Sequence, residues 1–274
     1  MTRTLLSSSV QQSEHLWLAA AQRLQQKNPL VQCLTNAVVQ QFSANVLLAV
    51  GGSPAMVDIC EEAGQFARVA DAVLINLGTP RREQQAAIRE AAHVAHETKT
   101  PWVLDPVAVG ALTIRTSLAH ELLAYEPTAI RGNASEIRAL AGHSTGGRGT
   151  DTTDTIDDAV KSAQQLYERS GAVVAVSGPV DAIVAGDDIH YNTYGHPLLT
   201  KITGGGCALG ATMAAFLGAD SRSPRDAVIA ATTMYTLAAQ EAAARVRGPG
   251  TFHAEFIDSL AHYAEVGLAQ ERTA

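Results

Sequence analysis

The stretch KITGGGCALGATMAAF, residues 201–216, sets Gly204, Gly205 and Gly206 directly before Cys207 and an alanine-rich run with helical spacing. Glycines at a helix start let backbone N–H groups approach an anion, and the aligned peptide dipoles favour negative charge there. A tight turn with close helix packing would use the same residues. The stretch matches neither GxGxxG nor the GxxxxGK of a P-loop, which disfavours both of those nucleotide sites. Free cysteines mostly pack as small apolar residues. A helix N-terminus, however, lowers a thiol pKa and stabilises thiolate. That position favours a functional Cys207, whereas Cys33 and Cys60 read as structural.

Two carboxylates come next. In RGNASEI, Asn133 can cap a helix and Glu136, three residues on, completes a capping box. That is a sufficient structural account. The chemical account is that Glu136 holds a magnesium-bound water near phosphates, with Asp105 of VLDP as the second acid. Magnesium takes few protein carboxylates and keeps its waters.

These residues need elements to position them, and the pattern supplies strands alternating with helices. LVQCLTN (30–36), DAVLINLG (71–78), PWVLDPVAVG (101–110), TAIRGN (128–133) and AVVAVSG (172–178) read as strands. Helices are expected at 40–51, 82–99, from 134, and at 157–171, 207–218, 224–245 and 252–267. DAIVAGDDIHYNTYG (181–195) reads as a hairpin turned at Gly186-Asp187. The result is an α/β fold with a mostly parallel sheet covered on both faces and one antiparallel edge. In such sheets ligands sit beyond the carboxyl ends of the strands. There this chain places Thr35-Asn36, Gly78-Thr79, Asp105, Asn133 with Glu136, and Ser177-Gly178, together with the glycines before Cys207. Residues 1–12 read as a loose tail, 13–274 as a single domain, and 142–155 as the longest loop.

Composition narrows the function classes. The 274 residues are 46% hydrophobic, enough for a sizeable core. A net charge of −7 without a basic run gives no electrostatic case for nucleic acid. Three scattered cysteines and no HExxH or CxxC pattern argue against a disulfide framework or a zinc site. No run is long enough for a membrane span and no signal-peptide core is present, so a cytoplasmic protein is expected.

The segments NPLVQCLTNAVVQQFSANVLLAVGGSPAMVD, VLDPVAVG, IRGNASEI, VSGPVDAIV and KITGGGCALGATMAAF, in this order, resemble the hydroxyethylthiazole kinase family of the ribokinase-like superfamily. The resemblance runs from about residue 16 to 267. It implies a three-layer α/β/α sandwich and a homotrimer with the substrate site between subunits. It also implies ATP-dependent phosphorylation of the primary alcohol of 4-methyl-5-(2-hydroxyethyl)thiazole, a thiamine-salvage step, with Mg2+. Asn133-x-x-Glu136 resembles the superfamily NxxE element, and Cys207 stands where most relatives carry an aspartate base. By the same resemblance Met56 and Asn36 line the thiazole pocket and Gly204 contacts the substrate. Arg131 and Ser177 contact ATP, and Asp105 and Glu136 serve the metal. The family's threonine is replaced here by Gly205, which removes a hydroxyl and is expected to loosen the turn. A pyrimidine or pyridoxal kinase, a non-catalytic nucleotide- or thiazole-binding module, and a cysteine acyltransferase are the alternatives. An aspartate at 207 would have favoured the first, and no histidine is placed for the last.

Overall fold

The computed structural model describes residues 16–143 and 156–269. The proposed tail at 1–12 and all but the start of the 142–155 loop lie outside the described residues. The strands are β1 Leu30–Leu34, β2 Ser53–Ala55, β3 Ala72–Asn76, β4 Trp102–Asp105, β5 Ala129–Asn133, β6 Val173–Ser177, β7 Asp181–Ala185 and β8 Asp188–Asn192. They form one sheet in the order β2-β1-β3-β4-β5-β6-β7-β8. Pairing is parallel from β2 to β6 and antiparallel at β6–β7 and β7–β8. The antiparallel edge is the expected hairpin, turned through Gly186 at φ 65°.

Helices cover both faces because successive side chains of β3 and β4, all buried, point to opposite faces. Leu74, Val103 and Ala129 face one helical layer; Val73, Ile75, Trp102, Leu104 and Ile130 face the other. This is the two-residue period of a strand buried on both sides. The first layer holds α1 (16–27), α2 Gln40–Val50, α8 Gly205–Ala219, α9 Pro224–Arg245 and α10 Pro249–Ala269. The second holds α3 Cys60–Ala67, α4 Arg82–Thr98, α5 Thr113–Leu122, α6 Ala134–Ala141 and α7 Ile156–Ser170. The three-layer sandwich is therefore present.

Several boundaries differ from those read in the sequence. The strand expected over 101–110 ends at Asp105. Beyond it the chain turns through Ala108 at φ 60° and Gly110 at φ 89°. The helix expected from 207 begins at Gly205. The short edge strand β2 and the helices α1, α3 and α5 were not anticipated. Strand order reverses around β1, which lies between β2 and β3, so the carboxyl ends of β1, β3 and β4 open beside a topological switch point.

Candidate active site

The N-terminus of α8 closes over these strand ends. Gly204 is its N-cap at φ 93°, a left-handed conformation, and a Cβ there would lie 2.9 Å from Val39 Cγ1. Glycine is therefore required on both conformational and steric grounds. The first intrahelical bond runs from Ala208 N to Gly204 O at 2.8 Å. The N–H groups of Gly205, Gly206 and Cys207 thus precede the helical ladder and are free to face an anion. Cys207, expected to open the helix, lies in its first turn, two residues inside the observed start at Gly205.

The turn is held firmly. The buried Tyr235 hydroxyl donates to Gly205 O at 2.6 Å. A Cβ on Gly205 would sit 2.7 Å from Leu199 O. The expectation that glycine at 205 loosens the turn is corrected by this geometry: residues 197–201 and α9 clamp it from two sides.

Below the turn lies a chain of polar side chains. Asn36, just beyond β1, reaches Cys207 Sγ through Nδ2 at 3.7 Å and Asn76 Oδ1 at 3.1 Å. Asn76, the last residue of β3, donates from Nδ2 to Asp105 Oδ2 at 2.7 Å and accepts Gly78 N–H at 3.0 Å. Asp105 is fully buried, and its Oδ1 has no hydrogen-bond partner. Burial pushes its carboxyl up to about 7, against the pull of Arg131 and with a further push from Glu136.

Arg131 approaches from β5. Its Nη1 lies 3.8 Å from Asp105 Oδ2, and its Nε and Nη2 donate to Ser177 Oγ at 3.2 and 3.0 Å. A Cβ on Gly206 would fall 2.5 Å from Arg131 Nη1, so the guanidinium packs directly beneath the glycine turn. Burial opposes its charge, but Asp105, Glu136, Cys207 and Asp181 together raise its pKa.

The thiol reverses one expectation. The helix start was expected to lower the Cys207 pKa, but burial, and secondly the Asp105 carboxylate, push it up to about 11. Arg131 and the amides of Asn76 and Asn36 pull it down without prevailing. Desolvating a thiolate costs more here than the donors around it return.

Glu136 completes the capping box as read. Asn133 Oδ1 accepts Glu136 N–H at 2.9 Å, and Glu136 Oε2 accepts Asn133 N–H at 2.9 Å. Its Oε1 accepts Ala108 N–H at 3.0 Å, tying the loop after β4 to α6. Each oxygen keeps a lone pair for a water. The orphaned Asp105 Oδ1 and the water-accessible Glu136 fit a magnesium ion reached largely through water. Among the described residues no group of three or more His, Cys, Asp or Glu could hold a metal.

The structure thus links Asn36, Asp105, Arg131, Ser177, Gly204–Gly206 and Cys207, with Glu136 coupled electrostatically to Asp105 and Arg131. Met56 has no direct contact of this kind; it is half-buried after β2 and packs against the first helical layer. Two and three residues further on, Asp58 and Ile59 line a cavity of about 540 Å³ shared with Ala37, Thr79 and Arg81. That cavity adjoins the ends of β1 and β3 but does not include Cys207. The sequence reading missed Asn76 and Tyr235. The available signal for Asn76 was an amide at the end of an otherwise apolar buried strand, since buried polar groups demand partners.

An open, mostly parallel sheet with an anion-ready glycine turn, a buried acid and a buried arginine at its carboxyl edge defines a protein of ribokinase-like fold. The fold matches that of a ribokinase-like superfamily protein from Enterococcus faecalis, with a TM-score of 0.63 at 15% identity over 85% of this chain and 87% of that one. The model of the hydroxyethylthiazole kinase family matches residues 21–265, and the chain belongs to that family. It is 56% identical to the hydroxyethylthiazole kinase of Clavibacter sepedonicus over 238 residues, covering 87% of this chain and 86% of that one. It is 52% identical to that of Corynebacterium glutamicum over 240 residues, 86% of this chain and 90% of the relative. The solved hydroxyethylthiazole kinase protein from Pyrococcus horikoshii superposes with a TM-score of 0.83 at 34% identity, over 90% of this chain and 93% of that one. Among the described residues no helix is long and apolar enough to cross a membrane.

Proposed function

We propose that the protein transfers the γ-phosphoryl group of ATP to the primary alcohol of 4-methyl-5-(2-hydroxyethyl)thiazole. One observation carries the mechanism: Cys207 occupies the first turn of α8, beside three glycine-turn N–H groups and above Asp105 and Arg131. Phosphoryl transfer asks the protein mainly for positioning and charge stabilisation. The N–H groups of Gly205, Gly206 and Cys207 hold the transferring phosphoryl group, and Gly204 keeps the turn open to it. Arg131, fixed by Ser177, offsets phosphate charge. Asp105 and Glu136 would hold a magnesium ion, which would supply neutralisation of phosphate charge.

Cys207 takes the proton of the alcohol as the alcohol oxygen bonds to phosphorus and the bond to ADP breaks. The acting form is the thiolate, a minor species because burial holds the thiol protonated at neutral pH. Met56 and Asn36 bound the pocket for the heterocycle. The family resemblance is what supports a homotrimer in which a neighbouring subunit closes that pocket. The chain works in the cytoplasm as one domain.

The test is ADP release with Mg-ATP across small heterocyclic alcohols. Hydroxyethylthiazole should turn over and yield its phosphate ester. Turnover with hydroxymethylpyrimidine or pyridoxal, and none with the thiazole, would reject the substrate. Tight ATP binding with no turnover of any alcohol would point to a non-catalytic module.

A further inference from the structure

We infer that Asn76 and Gly78 form a positioning device that fixes the amide of Asn36 so that its N–H, not its carbonyl, faces Cys207 Sγ. This rests on the kinase reading for its consequence but not for its geometry.

The polarity follows from one group that has no choice. A backbone N–H can only donate, and Gly78 N–H points at Asn76 at 3.0 Å. The atom it meets must therefore be the carbonyl oxygen of Asn76. That leaves the amino group of Asn76 toward Asp105 Oδ2 at 2.7 Å, where a carboxylate accepts it. The same Asn76 oxygen faces the Asn36 amide at 3.1 Å, so Asn36 must present its amino group there. That amino group also reaches Cys207 Sγ at 3.7 Å, which makes sulfur the acceptor. The orientation of two side amides is thus set from a single backbone hydrogen. A flip of Asn36 would set carbonyl against carbonyl at Asn76 and take the donor away from the sulfur.

The glycine at 78 is part of the device. A Cβ there would lie 2.7 Å from Asn36 Nδ2, 3.0 Å from Asn36 Cγ and 3.0 Å from Asn76 Oδ1. The backbone approaches so closely that any side chain at 78 displaces the Asn36 amide. Asn36, Asn76 and Gly78 are all buried, so water does not replace the lost contact. The alcohol proton is then accepted on the side of the sulfur that Asn36 leaves open. Asn76 touches no substrate in this scheme; it acts through Asn36 and Asp105 and through its own amide on the Cys207 sulfur.

Gly78→Ala is the informative variant, because it removes no polar group and presses mainly on the Asn36 amide, with Asn76 Oδ1 the next atom met. It should lower kcat on the order of 10²-fold, as small misplacements at a reacting centre do, with KM for ATP within about threefold of the parent. Asn76→Leu should do the same. Iodoacetamide alkylation of Cys207 in the unliganded protein, followed by peptide mass mapping at one fixed pH, gives a readout independent of turnover. Both variants should slow it, since a donor facing sulfur favours thiolate. Asn36→Leu should reproduce both effects, and Gly78→Ala added to it should cost little more. Parent-like kcat and alkylation in a folded Gly78→Ala protein would overturn the inference, as would fully additive losses in the double variant. If Asn76→Leu does not fold, Gly78→Ala decides alone. If the parent itself turns over no thiazole, the kinase reading fails while the alkylation rates still decide the amide polarity.

Discussion

Cys207→Asp should make the protein faster, not slower, at neutral pH. With the thiol at about 11, roughly one molecule in 10⁴ carries thiolate at pH 7. A carboxylate in the same place meets similar burial; Asp105 nearby sits at about 7. The base form then rises by roughly 10³–10⁴-fold, less whatever repulsion from Asp105 takes back. The weaker base loses about four pKa units of proton affinity, which costs about 10²-fold at a Brønsted slope near 0.5. The net is an increase on the order of 10- to 100-fold. The assay is ADP release at alcohol concentrations well below KM, from pH 6 to 9.5, where kcat/KM reports the free enzyme. The parent should gain nearly tenfold per pH unit from 7 to 9, because its base form lies below a pKa near 11 throughout. The Asp variant should level off just above neutrality. A flat parent profile, or an Asp variant no faster than the parent at neutral pH, would refute the reasoning.

Glu136→Gln places an amino group against the N–H of Asn133 or Ala108, so it should lose about 1–3 kcal/mol and lower Tm, with turnover falling most at low magnesium. Unchanged turnover at every magnesium concentration would leave Glu136 as a cap alone. Tyr235→Phe removes the buried bond to Gly205 O, about 1 kcal/mol, and should reduce kcat while ATP affinity holds; a parent kcat would free the turn from that clamp. The Asp105 pKa is raised by burial from 3.8 to about 7, so its contribution to the stability of the unliganded protein is fully present below pH 3.8 and lost as pH rises through about 7. Melting between pH 5 and 8 should show that decline, and Asp105→Asn should flatten it. Light scattering should report a trimer, and an active monomer would contradict the intersubunit pocket.

The sheet was readable because its strands are continuous apolar runs such as AVLI at 72–75, which only burial on both faces permits. Asp105 and Glu136 were readable for a similar reason: one ends such a run and the other completes a capping signature. The edge strand β2 escaped notice because three residues containing Pro54 carry no period. Helix α3 is eight residues long with Gly64 inside it, and α5 carries Thr113, Ile114 and Thr116 in its first turn, so neither has strong intrinsic preference. The thiol pKa was misread because the helix start is visible in sequence and the burial of Cys207 under other elements is not. Asn76 became a site residue only when β1 and β4, 40 and 29 residues away at their contact points, came alongside it.

The central claim is that Cys207 takes the alcohol proton during transfer without bonding to phosphorus. Single-turnover phosphorylation of hydroxyethylthiazole by parent and Cys207→Ala proteins, with intact-mass analysis during the reaction, tests it most directly. The account predicts an Ala variant slowed by about 10²–10⁴-fold, with ATP affinity retained and no phosphorylated protein in either sample. An Ala variant as fast as the parent, or a trapped phosphocysteine, would contradict it.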